Sequence, residues 1–253
     1  MRFIHLTETG STNDEVRRLA EQGELGPIWL RADSQTGGRG RHGRAWTSVK
    51  GNLYASGLFP LGSEPLIGAQ LGFAAALAIA DTIKIYAPDA QVTLKWPNDV
   101  LVGGAKVSGI LLETGQTHGQ RWVIVGIGLN LLSHPFDTPY PATHLLEHIP
   151  KTSLSRAEPI FTGGEALLAV LSARFEHWRA LHADEGFLAL RGPWLVMAKG
   201  LNEMADIRLA NRSFRARILG LGGNGELQVE HSNGTVESLY AGDVFPNAPL
   251  TES

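Results

Sequence analysis

The chain has 253 residues, of which 43% are hydrophobic and 19% charged, a composition typical of globular proteins with a sizeable core. A formal net charge of -3 gives no overall attraction to nucleic acid, and the absence of cysteine excludes disulfides, thiolate zinc sites and cysteine nucleophiles. No uninterrupted apolar stretch reaches the length of a membrane span and the N-terminus lacks a signal-peptide apolar region, so we expect a cytoplasmic protein without membrane contact.

The first sixty residues are predicted to form three short strands, with a helix after the first and a loop after the second. These strands lie at residues 3–6, 28–32 and 52–59. Thr12 or Asn13 would cap the helix, which continues to about Glu21. The loop covers 33–48, and Pro60 ends the third strand.

The central part of the chain is predicted to form a buried helix followed by antiparallel strands. Residues 67–86 are apolar nearly all round, which is typical of a helix enclosed by the core. Turn residues separate the apolar runs that follow, and this spacing favours a meander of strands. The predicted strands lie at residues 92–96, 107–112 and 122–132.

The remainder begins with an irregular segment at 133–162, for which the sequence offers no role. Gly163 and Gly164 then open a helix to about Leu181, and residues 184–200 are helical or irregular. Beyond that point short β-like runs alternate with hairpin turns. These runs lie at residues 206–209, 214–219, 226–230 and 236–239.

This order of elements favours an α+β fold over a doubly wound parallel sheet, because strands follow one another without regular β-α-β alternation. We expect a mixed or antiparallel sheet with helices packed on one face. The composition changes near residue 200, which predicts a larger domain at 1–200 and a small β-barrel domain at 201–253.

The loop that ends at Trp46 is the most informative segment. Its glycines allow the backbone to approach a ligand closely, and its arginines Arg39, Arg41 and Arg44 are donors suited to phosphate or carboxylate. Trp46 offers a flat face to a ring. The loop matches neither a P-loop nor a dinucleotide-binding fingerprint. Taken alone, it is also compatible with a flexible, solvated basic loop.

A second informative segment brings cations and a carboxylate together. Lys95 ends a predicted strand, and Asn98 and Asp99 follow in a turn, where Asp99 could serve a magnesium ion. Lys106 leads into an apolar strand, so its ammonium could lie at the rim of a pocket. Taken alone, the segment is also typical of a hairpin with solvated lysines. Alternate glycines in the last central strand indicate close approach by a backbone or ligand.

Together these segments resemble the biotin–protein ligase family. The matching pieces are residues 10–13, 38–46, 95–99, 106–113 and 126–130. The resemblance extends closely over 3–132 and by organisation over the β-rich tail. It implies the catalytic fold shared by biotin and lipoate ligases and related to class II aminoacyl-tRNA synthetases, followed by an SH3-like barrel.

The resemblance also implies roles for individual residues, with Arg41 and Lys106 as catalytic cations and Asp99 as the magnesium ligand. The residues implied in biotin binding are Ser11, Thr12, Asn13, Gln35, Gly38, Arg39, Arg41, Lys106, Gly109 and Gly126. The residues implied in binding ATP or the adenylate are Arg41, Arg44, Trp46, Asn98, Asp99, Lys106 and Asn130.

The implied reaction uses biotin, ATP and Mg²⁺ to form biotinyl-AMP, and then transfers biotin to a lysine of a biotin carboxyl carrier protein domain. We expect no nucleic-acid partner, because family members that repress transcription carry an N-terminal winged helix and this sequence starts at the catalytic strand. The protein would be a monomer or homodimer. Two alternatives stay open: a lipoate or octanoate ligase on the same fold, and a non-enzymatic module that binds nucleic acid or peptide.

Overall fold

The structure is a computed structural model that describes residues 1–62, 65–138, 140–161 and 164–246. Its strands are β1 (Arg2–Thr9), β2 (Ile28–Gln35), β3 (Leu53–Leu61), β4 (Val92–Lys95), β5 (Asp99–Val102), β6 (Ala105–Thr117), β7 (Gln120–Leu129), β8 (Met204–Arg208), β9 (Ser213–Leu221), β10 (Leu227–Glu230), β11 (Val236–Leu239) and β12 (Asp243–Pro246). Its helices are α1 (Thr12–Glu21), α2 (Pro65–Tyr86), α3 (Leu154–Phe161), α4 (Glu165–Glu185) and α5 (Leu188–Val196).

A seven-stranded mixed sheet forms the centre of the molecule, with the strand order β1-β2-β3-β7-β6-β5-β4. β1 and β2 are parallel, and every other neighbouring pair in this sheet is antiparallel. β6 and β7 form a long hairpin in which Gly109 lies opposite Gly128. The predicted α+β class and mixed sheet are confirmed.

Side chains that alternate along the strands divide the core between the two faces of this sheet. On one face α2 and α4 pack over an aromatic group in which Trp29, Phe59 and Phe175 meet with ring centroids 4.9–5.7 Å apart. On the other face Val16 and Ala20 of α1 pack against apolar residues of β2, β3 and β7. The expectation of helices on one face therefore holds for α2 and α4, while the short α1 covers the opposite face.

The apolar character of α2 is explained by its burial. By length and composition its stretch Ile67–Tyr86 could cross a membrane. This differs from the expectation that no apolar stretch is long enough to do so. However, 78% of its most apolar window is buried inside the protein, between the sheet and α4. The core of the protein therefore accounts for this composition without a membrane.

A second, five-stranded antiparallel sheet forms the C-terminal part, in the order β11-β10-β9-β8-β12. It confirms the predicted β-rich tail. The buried apolar residues of this sheet continue the core cluster of the central sheet. Trp96, after β4, donates a hydrogen bond of 3.2 Å from Nε1 to the carbonyl oxygen of Gly225. The division at residue 200 stays a prediction.

Several element boundaries differ from those predicted. Pro60 lies within β3 opposite Trp122, because β2 pairs with β3 only as far as Leu58 and a missing N–H is tolerated beyond that point. β5 and β12 were not predicted; they are defined by hydrogen bonds to β4 and β6 and to β8, and each directly follows turn residues. The segment predicted as irregular contains α3 and two 3-10 turns, at Leu145–His148 and Lys151–Ser153. The predicted helix start at Gly163 lies outside the described residues.

Candidate functional site

A cleft opens at one end of the central sheet, beside the C-terminal sheet. Its walls are the start of α1, the loop after β2, the turn between β4 and β5, the middle of the β6–β7 hairpin and the start of β12. The cleft encloses about 940 Å³ when its open mouth is included. All but two of the residues predicted for the site line it.

One end of the cleft, its neutral end, is lined by uncharged amide and hydroxyl groups that a network of hydrogen bonds holds in place. Gln35 accepts a bond of 2.8 Å from the backbone N–H of Thr12, and Ser56 donates to Asn13 Oδ1 at 2.6 Å. Asn13 in turn donates to Glu113 at 2.9 Å. A Cβ on Gly126 would lie 2.2 Å from Asn13 Oδ1, so only glycine permits this approach. This end presents fixed amide and hydroxyl groups.

Arg39 anchors the glycine-rich loop to the body of the protein. Its guanidinium donates two bonds of 2.6 Å to Asp14 and a third of 3.1 Å to Glu113. The hydrogen bonds to Asp14 raise the pKa of Arg39 well above its usual value and lower that of Asp14. The charge of Arg39 is therefore neutralised by carboxylates of the protein itself, without a bound ligand.

Arg41 and Arg44 reach from the same loop to the C-terminal sheet. Arg41 donates to the carbonyl oxygen of Gly242 at 3.1 and 3.2 Å and lies 3.4 Å from Asp243. Arg44 forms an ion pair with the same Asp243. Burial lowers the pKa of Arg41, against the opposing effect of the Asp243 carboxylate. The C-terminal sheet therefore holds the two cations at the cleft mouth.

Two lysines converge on Asp99 inside the cleft. Lys106 Nζ lies 2.6 Å from Asp99 Oδ1, and Lys95 Nζ lies 2.9 Å from Oδ2. Burial alone would raise the pKa of Asp99, but the two ammonium groups outweigh it and hold that pKa below its usual value. Asp99 is thus ionised and keeps both lysines in place.

The surroundings of Asp99 do not fit a resident magnesium ion. Magnesium coordinates carboxylate oxygens, phosphate oxygens and water. Both oxygens of Asp99 already face ammonium groups at hydrogen-bond distance, and these would repel a second cation at the same carboxylate. The role predicted for Asp99 as a metal ligand is therefore replaced by one in positioning Lys95 and Lys106.

Trp46 covers the floor of the cleft. Its ring lies over Gly109 and Gly128, where an added Cβ would come within 2.9 and 2.5 Å of ring carbons. Lys106 Nζ lies 5.4 Å from the centre of this ring, within range of a cation–π contact. The indole Nε1 is buried and has no hydrogen-bond partner among the described residues. Gly109 and Gly128 thus admit the ring of Trp46, where the sequence had indicated approach by a backbone or a ligand.

Positive charge dominates the lining of the cleft away from its neutral end. Apart from Arg39, its lining holds Arg41, Arg44, Lys95 and Lys106 against Asp99 and Asp243, so four cations face two carboxylates and two positive charges are unmatched. Such a surface suits a phosphate or a carboxylate in a partly desolvated setting. The neutral end suits an uncharged group with amide-like donors and acceptors.

Two predicted residues lie outside the lining of the cleft. Asn130 is buried at the end of β7 and donates from its amide to the carbonyl oxygen of Thr143 at 3.0 Å. Gly38 packs against Gln35 and Ser48 in the loop. The lining also includes residues that were not among the predicted site residues, of which Lys95, Tyr140, Asp243 and Phe245 carry charged or aromatic groups. Of these, only Lys95 could have been predicted from the sequence, because it lies in the matched segment 95–99.

Comparison with known proteins places this geometry in a family context. The profile of the "Biotin/lipoate A/B protein ligase family" matches residues 2–130. A biotin–[acetyl-CoA-carboxylase] ligase of Paracoccus denitrificans is 35% identical over 243 residues, which cover 95% of this chain and 98% of the relative. The bifunctional ligase/repressor BirA of Bacillus subtilis is 31% identical over 248 residues, which cover 96% of this chain and 73% of that protein.

The solved structures agree with the sequence matches. A biotin protein ligase from Aquifex aeolicus in complex with biotin and ATP superposes with a TM-score of 0.76 at 28% identity. The superposition covers 96% of this chain and 97% of that one.

Proposed function

The chain belongs to the biotin/lipoate A/B protein ligase family, and on this premise we propose that it is a biotin–protein ligase. It would join biotin to ATP as biotinyl-5'-AMP with release of pyrophosphate. It would then transfer the biotinyl group to a lysine of a biotin carboxyl carrier protein domain. The ligase class, biotin and ATP follow from the relatives and solved structures that carry those names.

One observation supports the proposal most directly: the glycine-rich loop and Lys106 face the same cleft. Lys106 Nζ lies 5.4 Å from the ring of Trp46, and Arg41 reaches within 3.5 Å of Asn98, which precedes Asp99. The neutral end around Asn13 suits the cyclic urea of biotin. The cationic end suits the carboxylate and the phosphate that react with each other.

The first step joins two anions, so the site must supply positive charge. A carboxylate oxygen of biotin would attack the α-phosphate of ATP, forming a C–O–P anhydride while the bond to pyrophosphate breaks. Lys106 would stabilise charge on the transferring phosphate, and Arg41 would hold the adenylate phosphate. Lys106 is 14% exposed in its side chain and held by Asp99, so little reorganisation is needed at the moment of reaction.

The second step is attack by the acceptor amine. A lysine has an unperturbed pKa of about 10.4, so the acceptor must lose a proton before it attacks the acyl carbon. The amide forms as the bond to AMP breaks. The mixed anhydride is prone to hydrolysis, and the loop that bears Arg41 would exclude water from it until the acceptor docks.

Magnesium would enter this reaction as the counter-ion of ATP, held by the phosphates and water, because Asp99 does not fit a resident ion.

A cytoplasmic location agrees with the use of ATP. The predictions of a monomer or homodimer and of no nucleic-acid partner stand with the proposal. The arginines of the loop face a cleft and pair with carboxylates of the same chain. A surface that binds nucleic acid would instead expose unpaired basic side chains.

Mass spectrometry of a carrier domain tests the proposed function. After incubation with the protein, biotin and Mg-ATP, the carrier should gain the mass of one biotinyl group, and a carrier with its acceptor lysine replaced by arginine should not. Parallel incubations with lipoate or octanoate separate biotin ligation from the alternative on the same fold. Modification by lipoate but not by biotin would contradict the proposal.

Lys106→Ala tests the first step separately. Loss of this electrostatic donor should reduce biotin-dependent pyrophosphate release by a factor of about 10²–10³. Lys84→Ala, at an exposed position on α2, is the matched control and should keep the wild-type rate. An unchanged rate in Lys106→Ala would remove this residue from the proposed mechanism.

A further inference from the structure

A cluster of imidazole and carboxylate groups lies outside the cleft, on the segment between β7 and α3 that the sequence left without a role. His134 follows the end of β7, His144 directly precedes the 3-10 turn at Leu145–His148, and Glu147 lies within that turn. One ligand atom from each of these three residues lies within 4.8 Å of the others. Nothing in the proposed ligase reaction uses this cluster.

The geometry of the cluster points inward to a common position. Nδ1 of His134 lies 2.9 Å from Nδ1 of His144, and Oε1 of Glu147 lies 3.5 Å from the same His144 nitrogen. The second carboxylate oxygen of Glu147 accepts a hydrogen bond of 2.7 Å from the hydroxyl of Thr143. That bond orients the carboxylate and leaves Oε1 toward the two rings. Outer hydrogen bonds of this kind commonly orient metal ligands.

We propose that His134, His144 and Glu147 form a Zn²⁺ site with an open fourth position. Two imidazole nitrogens and one carboxylate oxygen are ligands that zinc accepts. Ligands at about 2.0–2.1 Å in a tetrahedral site lie about 3.3 Å apart. The His144–Glu147 separation matches this value, and the two imidazoles would have to part by about 0.4 Å.

The ion would tie together the two ends of the segment that carries Tyr140. Tyr140 lies over Lys106, with the ammonium 5.2 Å from the ring centre. The backbone N–H of Lys106 donates to Pro141, and that of Thr143 donates back to Lys106. Zn²⁺ at the base of this segment would therefore reduce its local opening and hold Tyr140 against the cleft.

Calorimetric titration of untagged, chelator-treated protein with Zn²⁺, in the absence of ATP, tests the site. The wild-type protein should bind one ion per chain with micromolar affinity, and its melting temperature should rise with Zn²⁺. His134→Ala and Glu147→Gln should each weaken binding at least tenfold. His177→Gln, at an exposed position on α4, should bind like the wild type.

Two further measurements keep the result independent of folding defects in the variants. Co²⁺ in the wild-type protein should give the visible absorption bands of a four-coordinate site, and Glu147→Gln should lose or shift them. Zn²⁺ should slow amide hydrogen exchange around the 3-10 turn. Equal affinity in all variants, or no saturable binding by the wild type up to sub-millimolar Zn²⁺, would overturn the proposal.

Discussion

Asp99 shows how a single buried carboxylate organises the cationic end of the cleft. It is the last residue of the matched segment 95–99, and both of its oxygens pair with lysines from different strands. Without it, two ammonium groups would face each other in a partly desolvated cleft. The identity of this residue is readable from the sequence, but its pairing is not, because Lys106 approaches it from the next strand.

Asp99→Asn should lower the free energy of unfolding at pH 7 by about 3–5 kcal/mol, since one partner of a buried ionic cluster is lost. The folded-state pKa of Asp99 is depressed. The carboxylate therefore contributes stability above its unfolded pKa of about 3.9, and this is lost as pH falls through the folded value. When the pH is lowered below about 4, the free energy of unfolding should therefore fall less in the variant than in the wild type.

Urea unfolding at a series of pH values measures this difference. Asp89→Asn is the matched control, because Asp89 is exposed and should leave both the stability at pH 7 and its acid dependence unchanged. Parallel acid profiles in the wild type and Asp99→Asn would contradict the role given to this carboxylate.

At the scale of elements, the glycine-rich loop is held by residues from both ends of the chain. Arg39 pairs with Asp14 of α1, while Arg41 and Arg44 pair with Asp243 at the start of β12. The loop is thus fixed on one side by Arg39 and attached on the other by the Asp243 carboxylate and the carbonyl oxygen of Gly242. A bound phosphate would compete with that carboxylate for the two arginines. This arrangement suits a loop that changes partners when the adenylate forms.

Asp243→Asn should release the outer half of the loop. Trypsin cleaves after arginine, so proteolysis at Arg41 and Arg44 should become several-fold faster in this variant, and biotin with Mg-ATP should suppress it. Asp206→Asn removes a carboxylate of the same sheet that lies 3.9 Å from Arg215, and it should leave cleavage of the loop unchanged. Equal cleavage rates in both variants and the wild type would show that Asp243 does not restrain the loop.

At the scale of the whole molecule, the two sheets share one continuous apolar core. Leu227 and Val229 of β10 belong to the same buried cluster as Phe73 of α2 and Trp194 of α5. Phe73 also stacks edge-on against Trp194 with ring centroids 5.6 Å apart. We therefore expect the molecule to unfold as one cooperative unit, although the sequence divides it at residue 200.

Leu227→Ala tests this expectation. The side chain is 2% exposed, so its truncation should cost about 2–5 kcal/mol through lost burial and a residual cavity. All six tryptophans lie within residues 1–200, so their fluorescence reports mainly on the larger part, while Trp96, bonded to Gly225, also senses the C-terminal sheet. The fluorescence midpoint in urea should shift as much as the midpoint from circular dichroism. A fluorescence transition that keeps its wild-type midpoint would indicate two independent units.

The sequence by itself determined the class of fold, most element positions and the family. Apolar periodicity depends on neighbours a few residues apart, which is why α1, α2 and the β6–β7 hairpin were predicted within a few residues. It also brought nearly all of the proposed site residues into view, because their types and spacing follow from the motifs. The strands β5 and β12 were not predicted, since each follows turn residues and is defined by its pairing with neighbouring strands.

Only the tertiary structure decided how the charges pair. Arg41 meets Asp243 across 202 positions of sequence, and Arg39 meets Glu113 across 74. Such pairings neutralise some cations and leave others available, and they turned Asp99 from an expected metal ligand into a partner of two lysines. They depend on how strands and sheets pack, and the Coulomb energy of a pair follows distance in space, not separation along the chain.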